Sequence, residues 1–551
     1  MERARVLIDS TPSLFHLLPI FLYAETHYRF RYFFSYLRKR EPEILADTPH
    51  RIEPSSHLPI LILIKDAHQY HIEIKDIIVE IRSNKTFTNS RSLFNKPLNI
   101  SDKFWWRIFN IPLHGFTGKI ECDVKFIISD GKLDKIYHND NYRTSSHKPL
   151  SVFIAESPIP KFRHLYFGEC HSHSSYTDDQ VEYGAPIKPS IELSKAMGHS
   201  FFCVTDHSYD LDDAIDDYLI NDSALPKWKK LQREIDYLNS QYDNFAIIRG
   251  EEVTCRNVRN QNVHLLLLGN RTYFYGSGDS AEKWLDTSSE NNISDVLDKI
   301  DIDTIAFAAH PKETVSILQK VLLHRGNWSK NDFIHSKLNG IQFANGSLTS
   351  GFWEGYQTWI DQLLQGKKLI ALAGNDAHGN FNRFRQIGIP FLRIREHTNQ
   401  LFGKMKTGAF LNDISEYNIV HAIKSGKVII SDGPVLNLIV KSKRKTTTSI
   451  GQLFTQKGNY NITINARSSN EFGHLNTVTI KQGIIGQREK TIFQTNELKV
   501  YEYDNQITIK IETNCYIRAE VWTNSKDTVD SQTHFCLSNP IWFMCNNLQV
   551  N

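Results

Sequence analysis

No Cys-x-x-Cys pair occurs among the seven cysteines (Cys122, Cys170, Cys203, Cys255, Cys515, Cys536 and Cys545), which are scattered and odd in number. That spacing argues against a disulfide framework and against a zinc knuckle, and it points to a reducing compartment. Lys/Arg runs are short: the densest, "KSKRKTTT" at Lys441–Thr448, reads as a solvated turn. A formal charge of +3 over 551 residues is close to neutral, so no nucleic-acid partner is called for. The N-terminal apolar run "LFHLLPIFLYAE" contains His16 and Pro19, follows Glu2 and Asp9, and falls far short of the ~20 apolar residues a span needs. It makes a poor secretory signal. A cytoplasmic protein with no membrane partner is expected. A nucleotide-binding glycine fingerprint, a Walker loop and a serine-centred elbow are also missing, which sets aside dinucleotide, P-loop and serine-hydrolase chemistry.

What is present is the composition of a folded chain, 23% charged and 11% aromatic, long enough for about three or four domains. Residues 1–156 carry short β-type runs ("LPILILI", "IKDIIVEI", "GKIECDVKFIISDGK") between polar turns, the texture of an antiparallel sandwich. After the proline-bearing linker "ESPIPKFRH", residues 163–433 alternate helix and strand. "SIELSKAMGH" precedes "FFCVTDH", "WKKLQREIDYLNSQ" precedes "FAIIRGEE", "ISDVLDKID" precedes "TIAFAAHP", and "YQTWIDQLLQGKK" precedes "LIALAGNDAHG". Repeated units with continuous apolar strands predict a parallel sheet covered by helices, at a length that suits a closed TIM-like barrel. Residues 434–551 return to β texture and predict a second sandwich.

Each apolar strand of the middle region ends in a potential metal ligand: His171 and His173, His207, Glu251 or Glu252, His310, then Asp376 and His378, while His264 opens "HLLLLG". In parallel barrels such strand ends converge on one rim. Residues two apart in an extended segment point the same way, so His171 and His173 can address one ion, and Asp376 with His378 repeats the spacing. A single strand-end histidine is ordinarily a surface or hydrogen-bonded residue; what counts is the coincidence across strands. Imidazole with carboxylate and no thiolate suits zinc, manganese or iron, and so many ligands suit two or three ions sharing a bridging carboxylate. His164, His199, His324 and His335 lack this context and read as structural or exposed.

The ordered motifs "HSHSSYTD", "TDH", "GEEV", "HLLLLG", "AHP" and "NDAHG", between about Phe167 and Gly379, resemble those of the PHP (polymerase and histidinol phosphatase) superfamily of metal-dependent phosphoesterases. The resemblance implies an α/β fold, a distorted (β/α)7 TIM-like barrel, here flanked by two β-sandwich domains. It implies a first ion on His171, His173, Glu252 and Asp376. A second would share Glu252 and add His264 and His310, and a third would lie on Asp178, His207 and His378. Glu252 is preferred to Glu251 because it precedes the aliphatic Val253, and Asp178 to Asp179 by spacing, although "TDDQ" lacks the usual glycine. Gln342 stands where the family often has glutamate. "AIKSGKVIISDGPVLNLIV", Ala422–Val440, is similar to the CehA/McbA-type branch, which includes carbamate and amide hydrolases.

The activity this implies is metal-dependent hydrolysis by a metal-activated hydroxide, with Glu252, Asp376 and His207 as the catalytic residues. The expected substrate is a small ester bearing phosphate, its anion met by Lys312, Arg256 or Arg385; Arg259 and Arg383 lie in the same stretches. A carbamate or amide would not need these cations, and a non-catalytic scaffold built on a degenerate barrel would be expected to have lost ligands. Asp206 reads either as a partner that orients a ligand histidine or as a strand-end cap.

Overall fold

The structure is a computed structural model that describes residues 41–545 except 71, 84–86, 95, 130, 132, 143–144, 178–183, 281–285, 384–385, 390–391, 396–399 and 443–446. The N-terminal apolar run and the centre of the Lys441–Thr448 stretch therefore lie outside the described residues.

The N-terminal part is two packed, mainly antiparallel sheets. One orders Glu43–Asp47, His57–Lys65 and Phe104–Pro112; the other is built around Ile72–Ser83 and Gly118–Ser129. Gly118–Ser129 alternates buried and solvent-facing residues, the pattern of a sheet with one wet face. His57–Lys65 does not alternate, and its last eight residues are all buried. Leu58, Ile60, Ile62 and Ile64 face the sandwich core, whereas Leu61 and Leu63 pack with Ile187, Ile191 and Leu231 of the middle region. The continuous run "LPILILI" thus records burial on both faces.

Seven strands form the barrel-like core of the middle region: β1 (Leu165–Glu169), β2 (Phe201–Val204), β3 (Ala246–Arg256), β4 (Asn262–Leu268), β5 (Ile305–Ala309), β6 (Leu338–Asn345) and β7 (Ile370–Gly374). They lie in sequence order across one sheet. Pairing is parallel from β1 to β3 and from β5 to β7, but β4 runs antiparallel to both β3 and β5. This corrects the expectation of a uniformly parallel sheet: residues 257–261 turn the chain straight back, which leaves no length for a crossover helix. Helices α1 (Ile187–Ala196), α2 (Pro226–Gln241), α3 (Ile293–Lys299) and α4 (Ser350–Leu364) cover the outside. α2 starts with Pro226 in its first turn, where the missing N–H costs nothing, and Asn292 and Asp295 cap α3 reciprocally.

The ring is not closed by a continuous ladder. Between β7 and β1 the contact is a parallel bridge of Ser172 with Ala377, in which His173 N–H donates to Ala377 O at 2.8 Å. Below it, Thr407 Oγ1 hydrogen-bonds both the N–H and the carbonyl of Ala373, from the strand β8 (Lys406–Phe410) that runs antiparallel to β1. The fold is a mixed α/β architecture with a barrel-like core.

β9 (Val428–Ser431), which follows helix α5 (Glu416–Lys424), pairs with Phe535–Ser538, so the barrel's sheet runs on into the C-terminal part. There Cys515–Thr523 and Leu475–Ile484 face a four-stranded sheet centred on Val435–Ser442 and Gly458–Arg467 across an aliphatic core. No helix among the described residues is long and apolar enough to cross a membrane. All seven cysteines are free.

Candidate metal centre

The rim of the barrel gathers ligands that follow strand ends (His171, His173, His207, His310 and Asp376) around two that lie within strands, Glu252 and His264. His171 and His173 follow β1 in extended backbone, and their Nε2 atoms lie 3.2 and 3.5 Å from the Glu252 carboxylate and 3.3 and 3.0 Å from Asp376 Oδ1. Glu252 sits within β3 and is fully buried. Its neighbour Glu251 points the other way by the two-residue period of a strand, accepting from Ser208 Oγ, Asn270 Nδ2 and Phe274 N. His207 follows β2, with Nδ1 3.0 Å from Glu252 Oε2; His310 follows β5, with Nε2 3.1 Å from Glu252 Oε1. His264, in β4, places Nδ1 2.6 Å from Glu252 Oε1. Two rim residues have left-handed backbone, His310 at φ +29° and Asp376 at φ +52°. Non-glycine residues pay about 1–3 kcal/mol for such conformations and hold them where the surroundings over-determine the site.

Two groups of atoms are close enough to share a cation. One is His171, Glu252, His310 and Asp376; the other is His173, His207 and His378. In the first, the separations are 3.2 Å (His171–Glu252), 3.3 Å (His171–Asp376) and 3.1 Å (His310–Glu252). Four ligands about 2.1 Å from a tetrahedral zinc would stand ~3.4 Å apart. His171 Nε2 and Glu252 Oε2 are buried without a well-directed hydrogen bond, as expected of atoms that face an ion instead of each other. The residues fit divalent cations. The grouping differs from the one the resemblance implied: His171 and His173 fall in different groups, and His310 joins His171.

The charges are strongly coupled. Burial works to raise the Glu252 carboxyl, but the imidazoles of His264 and His171 outweigh it and hold it well below the ordinary carboxylate range. Asp376 is depressed the same way, burial being overcome by His171 and His173. Burial opposes charging of His171, yet Glu252 and Asp376 raise it to about 9. His173, buried beside His378 and His207, is pushed down. Ligation needs neutral imidazoles, so cations would take the place of the proton on His171.

The surrounding side chains fix the ligands. Gln342 Oε1 accepts from His310 N–H at 2.8 Å and lies 3.4 Å from His171 Nδ1, a placement that leaves His171 Nε2 for the centre. The amide thus serves the position where a carboxylate was looked for. Buried Glu169 accepts from the N–H groups of His171, Asn375 and Gly403, each at 2.9 Å. Asp206 takes Ser174 N–H and Oγ and Thr177 N–H, so it anchors the loop after His173 and does not bond a ligand ring.

A cavity of about 300 Å³ opens on the centre, lined by His264, His310, Asp376 and His378 together with Arg325. Arg325 Nε lies 3.0 Å from Asp279 Oδ2, and Asp279 also reaches His264 Nε2 at 2.9 Å. Sequence reasoning missed both residues, since "GSGDS" and "LLHRGN" follow no strand and carry no motif. Of the cations singled out for a phosphate, Lys312 donates to the Trp328 carbonyl and Arg256 to Asn260, and neither lines the cavity. Arg383 is buried against Asp140 and Asp47 of the N-terminal sandwich. Asp178, Asp179 and Arg385 lie outside the described residues.

No protein-family model matches the chain. Among curated proteins it is 30% identical over 86 residues to the "DNA polymerase/3'-5' exonuclease PolX" of Bacillus subtilis strain 168, a stretch that is 16% of this chain and 13% of that protein. Among solved structures it is similar to a beta-glucuronidase of Bacteroides uniformis, at 10% identity over 91% of this chain and 60% of that one, with a TM-score of 0.19. A glycosyl hydrolase family 2 member from Bacteroides cellulosilyticus stands at 7% identity, 91% and 75% coverage, and a TM-score of 0.17. At those TM-scores the two structures bear on neither fold nor activity. The chain spans only 13% of PolX. The two largely buried groups support metal-dependent hydrolysis in general.

Proposed function

We propose that the chain is a metal-dependent phosphoesterase of the PHP kind, similar to the CehA/McbA-type branch. One observation carries this reading: five imidazoles, from His171, His173, His207, His264 and His310, reach the single Glu252 carboxylate at 2.6–3.5 Å. Glu252 Oε1 serves the His171, His310 and Asp376 group, with His264 beside it. Its Oε2 serves the His173, His207 and His378 group. Each group would hold a divalent cation, with Glu252 next to both, and Asp178 would add a ligand for a third. When bound, zinc, manganese or iron ions supply Lewis acidity that lowers the pKa of water to about 7.

The chain's own residues do the rest. Glu252, Asp376 and His207 hold the reacting centre, Gln342 sets the ring of His171, and Arg325 meets the substrate's anionic oxygens at the mouth, held in place by Asp279. A guanidinium held by a buried carboxylate is pre-organised for a phosphoryl group. The exonuclease in the name of PolX, a phosphodiester activity, agrees with that choice for the matched stretch alone. A division into residues 1–156, 163–433 and 434–551, and a reducing cytoplasmic setting for seven free cysteines, belong to the same proposal. The substrate is a small ester; no nucleic-acid or membrane partner is proposed.

A second reading has its own support. The segment similar to the CehA/McbA-type branch, residues 422–440, forms the end of α5, a turn at Gly426 (φ +67°), β9 and the strand Val435–Ser442. Turnover of p-nitrophenyl phosphate, bis-p-nitrophenyl phosphate and a naphthyl carbamate, with Mn²⁺ or Zn²⁺ supplied, separates the two. Phosphate turnover that His171→Ala abolishes is the expected result; carbamate turnover alone selects the second reading, and inertness toward all three rejects both.

A further inference from the structure

A second cavity, of about 500 Å³, lies where the three parts of the chain meet, and it shares no lining residue with the cavity at the metal centre. His50, Arg51 and Phe153 reach it from the N-terminal sandwich, His199 and Lys406 from the barrel, and Phe472 from the C-terminal part. Its size falls in the range of small-molecule sites.

The charges on its wall do not balance locally. Lys406, the first residue of β8, is 3% exposed, and its Nζ donates to the Asp432 carbonyl at 3.1 Å. The carboxylates around it are engaged elsewhere. Glu471 takes Arg51 through two bonds of 2.7 and 2.9 Å, while Asp432 and Asp530 flank His534 at 3.1 and 3.2 Å. Among the described residues no carboxylate forms an ion pair with Lys406. A buried ammonium held this way carries a desolvation cost that an anion in the cavity would offset. A second buried side chain has an unused polar atom. His199, 4% exposed, keeps Nδ1 near Ser194 Oγ at 3.4 Å, but its Nε2 has no hydrogen bond. Burial, aided by the charge of Lys406, holds that ring neutral; with Ser194 Oγ donating to Nδ1, the proton stays on Nε2, which can donate. The remaining wall is apolar: Phe153, Ile159, Met197, Leu348 and Phe472, the last with the Lys406 ammonium 5.9 Å from its ring centre.

We propose that this cavity binds a small organic anion, a carboxylate, sulfonate or phosphate head on an apolar body, with Lys406 and His199 Nε2 holding the head and Phe472 the body. The proposal stands apart from the hydrolase reading and from its metal ions.

The test uses the full chain and 8-anilinonaphthalene-1-sulfonate, followed by fluorescence, with neutral N-phenyl-1-naphthylamine as the uncharged counterpart. Wild-type protein is expected to show one saturable site. Lys406→Met keeps the side-chain length and removes the unpaired charge. It is expected to weaken the sulfonate roughly tenfold or more, the cost of one charged hydrogen bond, and to leave the neutral probe unchanged. Val529→Trp, at a lining position 53% exposed, is expected to block both probes without touching the core. Absence of a saturable site in wild type, or wild-type sulfonate affinity in Lys406→Met, overturns the proposal. Should Lys406→Met fail to fold, wild-type affinity in Val529→Trp overturns it.

Discussion

His173 Nε2 lies 3.0 Å from Asp376 Oδ1, although the two residues are 203 positions apart. The first follows the opening strand of the barrel and the second its last, so their meeting marks the seam where the ring comes together. The same seam carries the parallel bridge of Ser172 with Ala377 and the left-handed backbone of Asp376. The candidate metal centre is therefore built at the point where the sheet is least complete, and it depends on whatever holds that loop.

Asp47 is one such holder. From the N-terminal sandwich its carboxylate accepts from the N–H groups of Phe381, Asn382 and Arg383 at 2.8, 3.0 and 3.2 Å, just past His378. Asp47→Ala leaves these three N–H groups, and that of Thr48, without their acceptor, at about 1–3 kcal/mol. It is expected to weaken metal binding ten- to hundredfold, as loss of an outer support does, with circular dichroism unchanged. Calorimetric titration of the metal-stripped variant with Zn²⁺ checks this, and wild-type affinity refutes it.

Arg325 is expected to act on substrate charge and not on the ions. Arg325→Met should raise KM for p-nitrophenyl phosphate about tenfold with little change in kcat, the signature of lost uniform binding, and leave metal content intact. A neutral carbamate, if turned over, should be unaffected. An equal loss on both substrates would place Arg325 among the supports of His264 instead.

His534 gives the protein a stability that depends on pH. Burial opposes its charging, but Asp432 and Asp530 outweigh this and raise it to about 10. A folded-state pKa above the unfolded value of about 6.5 makes a contribution that is complete below pH 6.5 and fades as pH rises toward 10. Lys406, pulled down to about 8 by burial and by Arg51, works in the opposite direction over part of that range. The informative quantity is thus the difference between wild type and His534→Gln. That difference in melting temperature is expected to be largest near pH 6 and to vanish by pH 10; a difference that stays constant with pH contradicts the assignment.

Arg518, fully buried, binds Glu489 and Glu520 of the C-terminal part and Tyr356 of α4. Arg518→Ala strands two carboxylates and is expected to cost about 3–5 kcal/mol, read as a fall in the denaturation midpoint. A shift below 1 kcal/mol would show that the network contributes little.

Much of this was legible in the sequence, for reasons specific to each element. α2 and α4 announced themselves by apolar spacing in "WKKLQREIDYLNSQ" and "YQTWIDQLLQGKK", and the strands by uninterrupted apolar runs before His207, Glu252, His310 and Asp376. The reversal of β4 was not legible, because "HLLLLG" is equally apolar whichever way it runs. Nor was the pairing of ligands: a two-residue spacing puts His171 and His173 on one face, but only the position of Glu252 between them sends each to a different oxygen. Lys312 and Arg256 drew attention by proximity in sequence, yet each is tied to local groups. Arg325 and Asp279 work from loops whose composition gives no sign of their role. His199, read as structural or exposed, is buried on the wall of the second cavity.

The most direct test of the shared-carboxylate centre is metal content per chain, measured by mass spectrometry after saturation with Mn²⁺ or Zn²⁺ and removal of excess. At least two equivalents are expected in wild-type protein and close to none in Glu252→Ala, since one carboxylate joins both groups. Wild-type protein that retains no metal, or a Glu252→Ala variant that keeps the full complement, would contradict it.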